Sequence, residues 1–403
     1  MIKIIIFLKL ILRSKFIYKT PKKCDLIVFD EMSVSALKIC LSKFKYFILQ
    51  TRLESLKEKP KFGTIEKYRI YFSYKILRRI IKNYNKGNLF TVYLVSLIEL
   101  IEPKVVMTTI DHSLKFSDVA KILDNKINFI AIQNSMLHDF WEWDYLYKTK
   151  RIKKNLAEKI YIPNLYCWGD FEKETFAKYI KVNNFYPIGS LRLANFFNHI
   201  KSETSSPSKY NCDICLIIEF FDPSFEEIVK KNIIKFYFRD EKKSDDYQIL
   251  LSHYENEEGY VKLIKYTIKY CIKYNMKLII PLKSGNRKSY PGPYKREISF
   301  IERKFEKEDL NYIKKSILER EYDNFSTYRV VMNSNVTVGL RTTFLRNKLA
   351  MGGKILSCNL TKKDNYNFPV EGICAINNCS FEDFEKRLYK ICHISPEKFI
   401  SKL

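Results

Sequence analysis

The stretch KVVMTTIDHSLKFSDVAKILDNKINFIAIQ, residues 104–133, predicts the fold class. Its first part, KVVMTTI, is a short apolar run rich in β-branched residues, which is typical of a buried strand. The segment after it carries apolar residues at the spacing of one buried helix face, namely Phe116, Val119, Ala120 and Leu123. INFIAIQ then supplies a second strand. A strand, a helix and a strand joined by short connections predict a βαβ unit with parallel strands.

The same alternation continues on both sides of this unit. Short apolar runs of the strand type recur at 25–30, 46–50, 212–221, 276–282, 328–333, 354–359 and 372–376. Helical apolar spacing lies between them, at 33–44, 90–101, 261–272, 342–353 and 380–391. Residues 1–16, MIKIIIFLKLILRSKF, predict a first core strand that leads into a basic segment.

The chain of 403 residues is long enough for two domains of about 200 residues each. The stretch richest in Ser, Thr and Pro is SETSSPS, residues 202–208, which favours a hinge. We therefore expect an N-terminal domain over 1–200, a hinge over 201–210 and a C-terminal domain over 211–403. The predicted class is α/β, with two Rossmann-like domains.

The charge balance limits the choice of partners without fixing one. Lys and Arg number 71 against 45 Asp and Glu, which gives a net charge of +26 and favours anionic partners. A chain encoded by an AT-rich genome would show the same excess of lysine. Glycine is scarce, with 11 residues, and neither GxGxxG nor GxxxxGK[ST] occurs. This absence disfavours a nicotinamide dehydrogenase and a P-loop kinase.

The cysteines and the N-terminus bear on compartment and membrane contact. Ten scattered cysteines, mostly within apolar runs, favour a reducing cytoplasm. The single CxxC, at 212–215, has no neighbouring ligands to complete a zinc site, so no metal is expected. Residues 1–13 fall short of the roughly 20 apolar residues that span a bilayer. Nearby basic residues leave open a peripheral contact with the anionic inner face of the cytoplasmic membrane: Arg13, Lys15, Lys19, Lys22 and Lys23.

Ligands of open parallel sheets bind beyond the carboxyl ends of the strands, which selects the first candidate site. After KVVMTTI, Asp111 and His112 combine a carboxylate with an imidazole that can take a proton from a hydroxyl, so we predict them as catalytic. The alternative is that Asp111 only caps the helix that follows. Other polar residues after N-terminal strands are predicted to bind the acceptor: Asp30, Glu31, Gln133, Asn134 and His138. His138 belongs to an aromatic and acidic stretch that suits a carbohydrate or an ordinary packed loop equally well.

The C-terminal half gives a second candidate site by the same rule. Residues after its predicted strands are assigned to the nucleotide-activated donor: Lys283, Ser284, Asn333, Ser334, Arg341, Thr342 and Thr343. A helix that begins near Thr342 would direct backbone N–H groups and its positive dipole end at a phosphate. Arg341 would add charge-assisted hydrogen bonds to a diphosphate. The alternative is that Thr342 serves only as a helix N-cap.

Several motifs together resemble a known group of enzymes. They are TTIDHSLKFSDVAKI, FIAIQNS, CWGDFEKETF, FYPIGSLRL, RTTFLRNKLAMGGKILSCN and FPVEGICAI. They resemble bacterial surface-carbohydrate (O-antigen) biosynthesis proteins, GT-B glycosyltransferases and the CDP-glycerol glycerophosphotransferase group. The resemblance implies a GT-B-like fold of two Rossmann-like domains that face each other across a cleft. It also implies that the donor binds mainly to the C-terminal domain and the acceptor to the N-terminal one.

The resemblance carries over to individual residues as follows. Gly189 and Ser190 match a family-like GS pair and are added to the donor site, as is Asn347, which stands where such enzymes usually have an acid. Residues 132–135, IQNS, replace a family-like IQNG. Thr342 and Thr343 match the hydroxyl-rich turn of the donor domain.

The expected function is transfer of a sugar, or of an alditol phosphate, from a nucleotide-activated donor to a glycan or lipid-linked glycan acceptor. The expected enzyme is a metal-independent glycosyltransferase of surface-polysaccharide or O-antigen biosynthesis, with a nucleotide sugar as substrate, no cofactor and no nucleic-acid partner. Two alternatives stay open: an epimerase or hydrolase of nucleotide sugars, and a non-catalytic scaffold that binds nucleic acid or membrane.

Overall fold

The structure, a computed structural model, divides into two compact units, residues 14–199 and 200–403. The residues it describes are 14–31, 33–51, 68–134, 160–177, 180–201, 208–218, 242–283, 285, 292–321, 325–340, 342–361 and 364–403. Each unit contains a six-stranded sheet in which every pair of neighbours is parallel. The predicted α/β class and the pair of Rossmann-like domains are confirmed. Most of the predicted hinge, 202–207, lies outside the described residues.

The first unit contains eight described strands and six described helices. The strands are β1 (Ser14–Ile17), β2 (Leu26–Phe29), β3 (Tyr46–Leu49), β4 (Tyr68–Tyr71), β5 (Val105–Thr108), β6 (Asn128–Ile132), β7 (Ile160–Cys167) and β8 (Ile180–Pro187). The helices are α1 (Ser33–Leu41), α2 (Tyr74–Asn83), α3 (Leu89–Ile101), α4 (Leu114–Leu123), α5 (Asp170–Ala177) and α6 (Leu191–Ile200).

The sheet of the first unit has the order β3-β2-β5-β6-β7-β8. Residues 26–29, LIVF, are all buried, because a parallel strand is covered by helices on both faces. The predicted inner face of α4 packs on this sheet through Phe116, whose ring lies 5.4 Å from that of Phe29 and 5.5 Å from that of Phe129. Helix α3 ends at Ile101, before Pro103, as the sequence predicts.

The two last strands of this sheet, β7 and β8, are not among the strands predicted from the sequence. They join the sheet through amide side chains as well as backbone hydrogen bonds. Asn164 Nδ2 donates to Asn128 Oδ1 at 2.8 Å, and Asn184 Nδ2 donates to Asn164 Oδ1 at 3.0 Å. This amide ladder links three neighbouring strands, β6, β7 and β8.

The predicted first core strand corresponds to the apolar residues before Arg13, and residues 1–13 lie outside the described residues. Within the basic segment that follows, Ser14–Ile17 form β1, which pairs with β4 in a separate two-stranded sheet. Phe16 is exposed on it.

The second unit contains six described strands and seven described helices. The strands are β9 (Cys212–Ile217), β10 (Leu278–Pro281), β11 (Ile317–Leu318), β12 (Ser334–Gly339), β13 (Lys354–Asn359) and β14 (Ala375–Asn377). The helices are α7 (Lys242–Lys273), α8 (Gly292–Lys304), α9 (Lys307–Ser316), α10 (Ser326–Asn333), α11 (Thr343–Ala350), α12 (Phe381–His393) and α13 (Pro396–Ile400). Within the described ranges of the chain, no helix is both long and apolar enough to cross a bilayer.

The sheet of the second unit has the order β11-β10-β9-β12-β13-β14. In chain order this is 3-2-1-4-5-6, the arrangement of a dinucleotide-binding Rossmann sheet. Strands β10 and β13 are fully buried, and one continuous apolar core joins the sheet to α7, α8 and α12. Helix α11 ends as predicted, at a left-handed Gly352 with φ of +74°.

The strand predicted at 328–333 is wrong, because these residues belong to helix α10 and the strand β12 begins only at Ser334. Val330 and Val331 are buried against β9, so tertiary packing outweighs their β propensity. The helix ends on a buried lysine: Lys348 Nζ donates to the carbonyls of Val331 at 2.7 Å, Met332 at 3.3 Å and Ser334 at 2.8 Å. Lys348 thus satisfies carbonyl groups that a helix end leaves without intrahelical partners.

Removal of this lysine should destabilise the second unit. Lys348→Met should lower the free energy of unfolding by about 2 kcal/mol at pH 7, because it leaves buried carbonyls without a donor. Burial lowers the pKa of Lys348 from 10.5 to about 8. Between these pH values the unfolded chain binds more protons, so the stability that Lys348 confers should increase with pH by about 3 kcal/mol.

Urea unfolding of the wild type and of Lys348→Met at several pH values between 7 and 11 would measure this difference. The exposed Lys390→Met is the matched control. If the wild type's excess in free energy of unfolding over Lys348→Met decreased as the pH rises, the role assigned to Lys348 would be contradicted.

Candidate functional site

The first candidate site lies at the carboxyl edge of the first sheet, where the chain reverses its direction of travel through the sheet. From β2 the chain moves outward to β3 and then returns to the other side of β2 to form β5. In such sheets the loops after the two strands at this switch point bind ligands. The loops after β2 and β5 therefore define the site.

Three buried hydroxyl groups join these two loops. Ser33 Oγ, at the start of α1, accepts hydrogen bonds from the backbone N–H of Thr109 at 2.9 Å and from its Oγ1 at 3.1 Å. Thr108 Oγ1 lies 3.4 Å from the same Ser33 oxygen and accepts from the backbone N–H of Ile110 at 3.0 Å. These contacts fix the loop after β5, and therefore the residues that follow it.

Asp30 ties the end of β2 to the end of β3. It has a φ of +85°, in the left-handed region that favours glycine, and its carboxylate accepts from Thr51 Oγ1 at 2.8 Å. Its backbone N–H donates to Leu49 O at 2.9 Å. Glu31 follows it and is half-buried. The predicted acceptor residues Asp30 and Glu31 thus lie at this edge, and Asp30 has a structural role there.

Asp111 and His112 form a carboxylate–imidazole pair at the same edge. Asp111 is buried, and its Oδ1 lies 3.1 Å from Nδ1 of the half-buried His112. When Nδ1–H donates to this carboxylate, the lone pair of the neutral ring is on Nε2. The helix cap is another residue: Ser113 Oγ accepts from the backbone N–H of Phe116 at 3.2 Å. Helix capping, the alternative role of Asp111, therefore belongs to Ser113.

A cation that sequence reasoning missed lies at the end of β3, at the same edge of the sheet. Lys115 Nζ donates to the carbonyl of Thr51 and lies 5.3 Å from the centre of the Phe90 ring. Lys115 is part of the quoted TTIDHSLKF motif, and Thr51 directly follows the predicted strand 46–50. The rule that selects residues after strands would have found Thr51 had it been applied to that strand.

Gln133 is a clamp between β6 and the end of β7, which differs from its predicted contact with an acceptor. Its buried Oε1 accepts from the backbone N–H of Trp168 at 2.9 Å, and its carbonyl accepts from the Trp168 indole N–H at 3.3 Å. Asn134 is half-buried, and its Oδ1 accepts from Nε of the exposed Arg192 at 2.8 Å. His138 lies outside the described residues.

Gly189 and Ser190 connect β8 to α6 in the first unit. Gly189 has a φ of +77°, which explains a glycine there. Ser190 Oγ accepts from the backbone N–H of Leu193 at 3.3 Å and so lies at the start of α6. This pair is at the carboxyl edge of the first sheet, whereas the other predicted donor residues are in the second unit.

The second candidate site lies at the switch point of the second sheet, between β9 and β12. Gly339 ends β12, and a Cβ at this position would lie 3.3 Å from Thr342 Cγ2 and 3.4 Å from the carbonyl of Ile217. The chain passes closely from strand to helix here. Thr342 is the N-cap of α11, with Oγ1 accepting from the backbone N–H of Phe344 at 3.3 Å. Thr343 is the first residue of the helix and is half-buried.

The predicted cap role of Thr342 is therefore observed, and it does not conflict with anion binding. The amino end of α11 carries the positive end of the helix dipole at the switch point, which favours an anion. Lys283 follows the neighbouring strand β10 and is exposed, with its carbonyl accepting from Arg320 Nη1 at 2.8 Å. Ser284 and Arg341 lie outside the described residues.

Two predicted donor residues, Asn333 and Ser334, are elsewhere in the second unit. Asn333 and Ser334 lie at the amino end of β12, where Ser334 pairs with Cys212, so they are at the opposite edge of the sheet from Thr342. Their side chains bond to Arg329 O at 2.8 Å and Val331 O at 2.9 Å. The cause is the misplaced strand at 328–333, which reverses the end that these residues occupy.

Asn347 is buried in α11 and faces α10. Its Nδ2 donates to the Tyr328 hydroxyl at 3.2 Å. This contact joins two helices of the second unit, and the predicted contact of Asn347 with the donor stays a prediction.

Comparisons with known proteins give structural likenesses only. No family model matches the chain, and no curated protein matches it. Among solved structures, the UDP-GlcNAc 2-epimerase of Methanocaldococcus jannaschii has a TM-score of 0.45 at 12% identity, over 92% of this chain and 93% of that one.

Two further solved structures have similar TM-scores and sequence identities to this chain. The UDP-GlcNAc 2-epimerase of Neisseria meningitidis has a TM-score of 0.45 at 12% identity, over 94% and 96% of the two chains. A trehalose-6-phosphate synthase has a TM-score of 0.41 at 10% identity, over 94% and 93%. Likenesses at this level do not assign an activity. In the parts of the chain that the structure describes, no three His, Cys, Asp or Glu side chains come together as a metal site requires.

The clamp at Gln133 gives a prediction that separates a structural from a ligand-binding role. Gln133→Ala should lower the free energy of unfolding of the first unit by about 1–2 kcal/mol, because the buried backbone N–H of Trp168 loses its acceptor. Asn134→Ala, one residue away and less buried, should change it by less than about 0.5 kcal/mol. Urea unfolding of the two variants measures the difference. Equal free energies of unfolding for the two variants would contradict the structural role of Gln133.

Proposed function

We propose that the protein is a transferase that moves a sugar, or an alditol phosphate, from a nucleotide-activated donor to a hydroxyl of a glycan or lipid-linked glycan acceptor. The observation that carries this proposal is the Asp111–His112 pair beside the switch point of the first sheet. A histidine held by a buried carboxylate is the usual arrangement for removing a proton from a hydroxyl near neutral pH. The sequence resemblance to O-antigen biosynthesis proteins suggests a surface-polysaccharide pathway.

The first unit would bind and activate the acceptor. His112 Nε2 takes the proton of the acceptor hydroxyl, and the Asp111 carboxylate stabilises the imidazolium that forms. The acceptor oxygen then attacks the anomeric carbon of the donor. The bond between that carbon and the leaving diphosphate oxygen breaks as the new carbon–oxygen bond forms. With an alditol-phosphate donor, the attacked atom would be the phosphorus that bears the alditol. The bond from that phosphorus to the bridging anhydride oxygen would then break, and nucleoside monophosphate would leave.

The second unit would bind the donor and stabilise the leaving group. The leaving nucleoside diphosphate gains negative charge, and the amino end of α11, the Thr342 hydroxyl and the Lys283 ammonium favour that charge. Arg341, which directly precedes Thr342, is assigned the same role by the sequence. The scheme assigns no step to a metal ion or cofactor.

His112→Ala should lower kcat by about a hundredfold or more, because the acceptor hydroxyl then loses its proton only to water. The affinity for the nucleotide donor should be unchanged, because His112 belongs to the first unit. Release of nucleoside diphosphate from a sugar donor, or of nucleoside monophosphate from an alditol-phosphate donor, reports kcat when it is measured with acceptor present. His199→Ala replaces an exposed histidine of the same unit and is the matched control. A kcat within twofold of the wild type would remove His112 from the scheme.

Thr342→Val should weaken nucleoside diphosphate binding about tenfold, because it removes a hydroxyl donor and the cap of α11 at once. Thr342→Ser keeps the hydroxyl and should bind as the wild type does. A thermal-shift screen with UDP, CDP, GDP and their sugar conjugates first identifies the nucleotide, since a ligand of the native state raises the melting temperature. Titration calorimetry then compares the variants. If Thr342→Val and Thr342→Ser bound the nucleoside diphosphate with equal affinity, the assignment of Thr342 to the donor site would be contradicted.

The nucleotides and nucleotide sugars of this screen also help to test the alternative functions. Conversion of a nucleotide sugar in the absence of acceptor would identify an epimerase or a hydrolase. Binding of DNA that survives physiological salt, without any shift by nucleotides, would identify a nucleic-acid scaffold, because attachment driven by counterion release weakens steeply with salt.

A further inference from the structure

Helix α2 presents an exposed apolar stripe that no part of the described first unit covers. The stripe consists of Tyr74, Leu77 and Ile81 together with Tyr84 at the end of the helix, which are exposed by 78%, 42%, 63% and 75%. Their spacing of three and four residues places them on one face of the helix. An isolated exposed apolar residue is ordinary, whereas four on one helical stripe mark an interaction surface.

The opposite face of α2 already has its partner, so the exposed stripe is not the core face of the helix. Ile76 is fully buried, and the buried Asn83 Nδ2 donates to Ser96 Oγ at 3.4 Å and Glu99 Oε2 at 2.9 Å on α3. Arg79 Nη1 also lies 3.4 Å from Glu99 Oε2. The helix is thus fixed on α3 by one side and displays the stripe on the other.

A basic stripe runs beside the apolar one. With about 100° of rotation per residue, Lys75, Arg78 and Lys82 fall on the face next to Tyr74 and Ile81, away from α3. All three basic residues are exposed. A helix with an apolar stripe flanked by lysine and arginine is the pattern of helices that lie in a membrane interface.

The two-stranded sheet extends the same surface. The Tyr18 ring lies 6.4 Å from the Phe72 ring, and Thr20 Oγ1 lies 3.0 Å from Ser73 Oγ, the N-cap of α2. Tyr18 and Phe72 are both exposed. The aromatic residues after β1 therefore adjoin the start of α2.

The positive charge of these segments favours an anionic partner. Residues 14–24 and 68–98 contain no aspartate or glutamate, and their basic residues are Lys15, Lys19, Lys22, Lys23, Arg69, Lys75, Arg78, Arg79, Lys82 and Lys86. Three of these form ion pairs with carboxylates just beyond the two ranges: Lys23 with Glu102, and Arg79 and Lys86 with Glu99. Each lysine or arginine close to an anionic bilayer adds to its attraction, and the apolar side chains add burial among the acyl chains.

We propose that α2, with the aromatic residues after β1 and β4, is a docking surface for an anionic phospholipid bilayer. The helix lies parallel to the membrane, with Leu77 and Ile81 in the acyl boundary and Arg78 and Lys82 at the phosphate groups. The first unit would then be held at the membrane, where a lipid-linked acceptor would be found. The sequence-based membrane prediction depended on Arg13, Lys15, Lys19, Lys22 and Lys23. Helix α2, with Tyr18 and Phe72, adds to these basic residues an apolar surface that the sequence analysis did not identify.

Co-sedimentation with vesicles tests the proposal on the full chain. The probes are vesicles of phosphatidylglycerol and phosphatidylcholine in equal parts, and vesicles of phosphatidylcholine alone. The wild type should bind the anionic vesicles, and its binding should weaken as salt screens the lipid charge. The partition of the double variant Leu77→Ser/Ile81→Ser into the anionic vesicles should be lower than that of the wild type by about tenfold or more, because the apolar burial is lost. Ile272→Ser/Met351→Ser, at exposed apolar positions of the second unit, should partition as the wild type does.

A second pair of variants tests the charge. Arg78→Gln/Lys82→Gln should lower partition into anionic vesicles about tenfold at low salt, while Lys315→Gln/Lys390→Gln removes the same charge from the second unit and should change little. All the substituted side chains are exposed, so unchanged melting temperatures should accompany each result.

Three outcomes would overturn the proposal. One is equal binding to anionic and neutral vesicles, and another is binding that survives the loss of Leu77 and Ile81. The third is a dimer in vesicle-free solution that Ile81→Asp dissociates, because the stripe would then be covered by a second copy of the chain. Vesicle binding needs neither donor nor acceptor, so its failure and the failure of the proposed transferase are distinguishable.

Discussion

Parallel pairing is the constraint on which the two candidate sites depend. When all strands of a sheet run in one direction, every loop that follows a strand is at the same edge. This brings together Asp30 and Asp111, which are separated by 80 residues in the chain but both follow neighbouring strands. The same constraint makes the position of a strand decisive. Because β12 begins at Ser334 rather than ending near it, Ser334 moves to the opposite edge of the sheet.

Much of the fold could be predicted from the sequence, and the exceptions have physical causes. The runs around β2, β5 and β6 are apolar throughout because both faces of a parallel strand are buried. β7 and β8 were not among the predicted strands, although β7 is mostly apolar and buried. The amide ladder of Asn164 and Asn184 has partners 36 and 20 residues away in the chain, so it becomes visible only in the fold. Helix α10 was mistaken for a strand because its buried Val330 and Val331 are β-branched, and the lysine that satisfies its last carbonyls is 17 residues further along the chain.

For the candidate sites, the sequence predicts where polar residues lie but not which of them already have partners. A rule that places ligands after strands finds Asp111 and His112 without any structure, because it needs only the strand boundary. It cannot tell which polar side chain at that edge is already engaged. Gln133 fits the rule equally well, yet its oxygen serves the Trp168 backbone, a partner 35 residues away. Such engagements are long-range in sequence and become visible only when the fold is known.

The division of capping roles decides which polar groups stay available for chemistry. In the first unit Ser113 caps α4, so the Asp111 carboxylate is directed to His112. In the second unit Thr342 is itself the cap of α11, and its oxygen accepts one backbone hydrogen bond. A hydroxyl has one donor in addition to its acceptor sites, so this role leaves its hydrogen able to donate to a phosphate oxygen. A threonine cap at a switch point can therefore stabilise the helix and bind an anion with the same side chain, and valine, which has the same shape, can do neither.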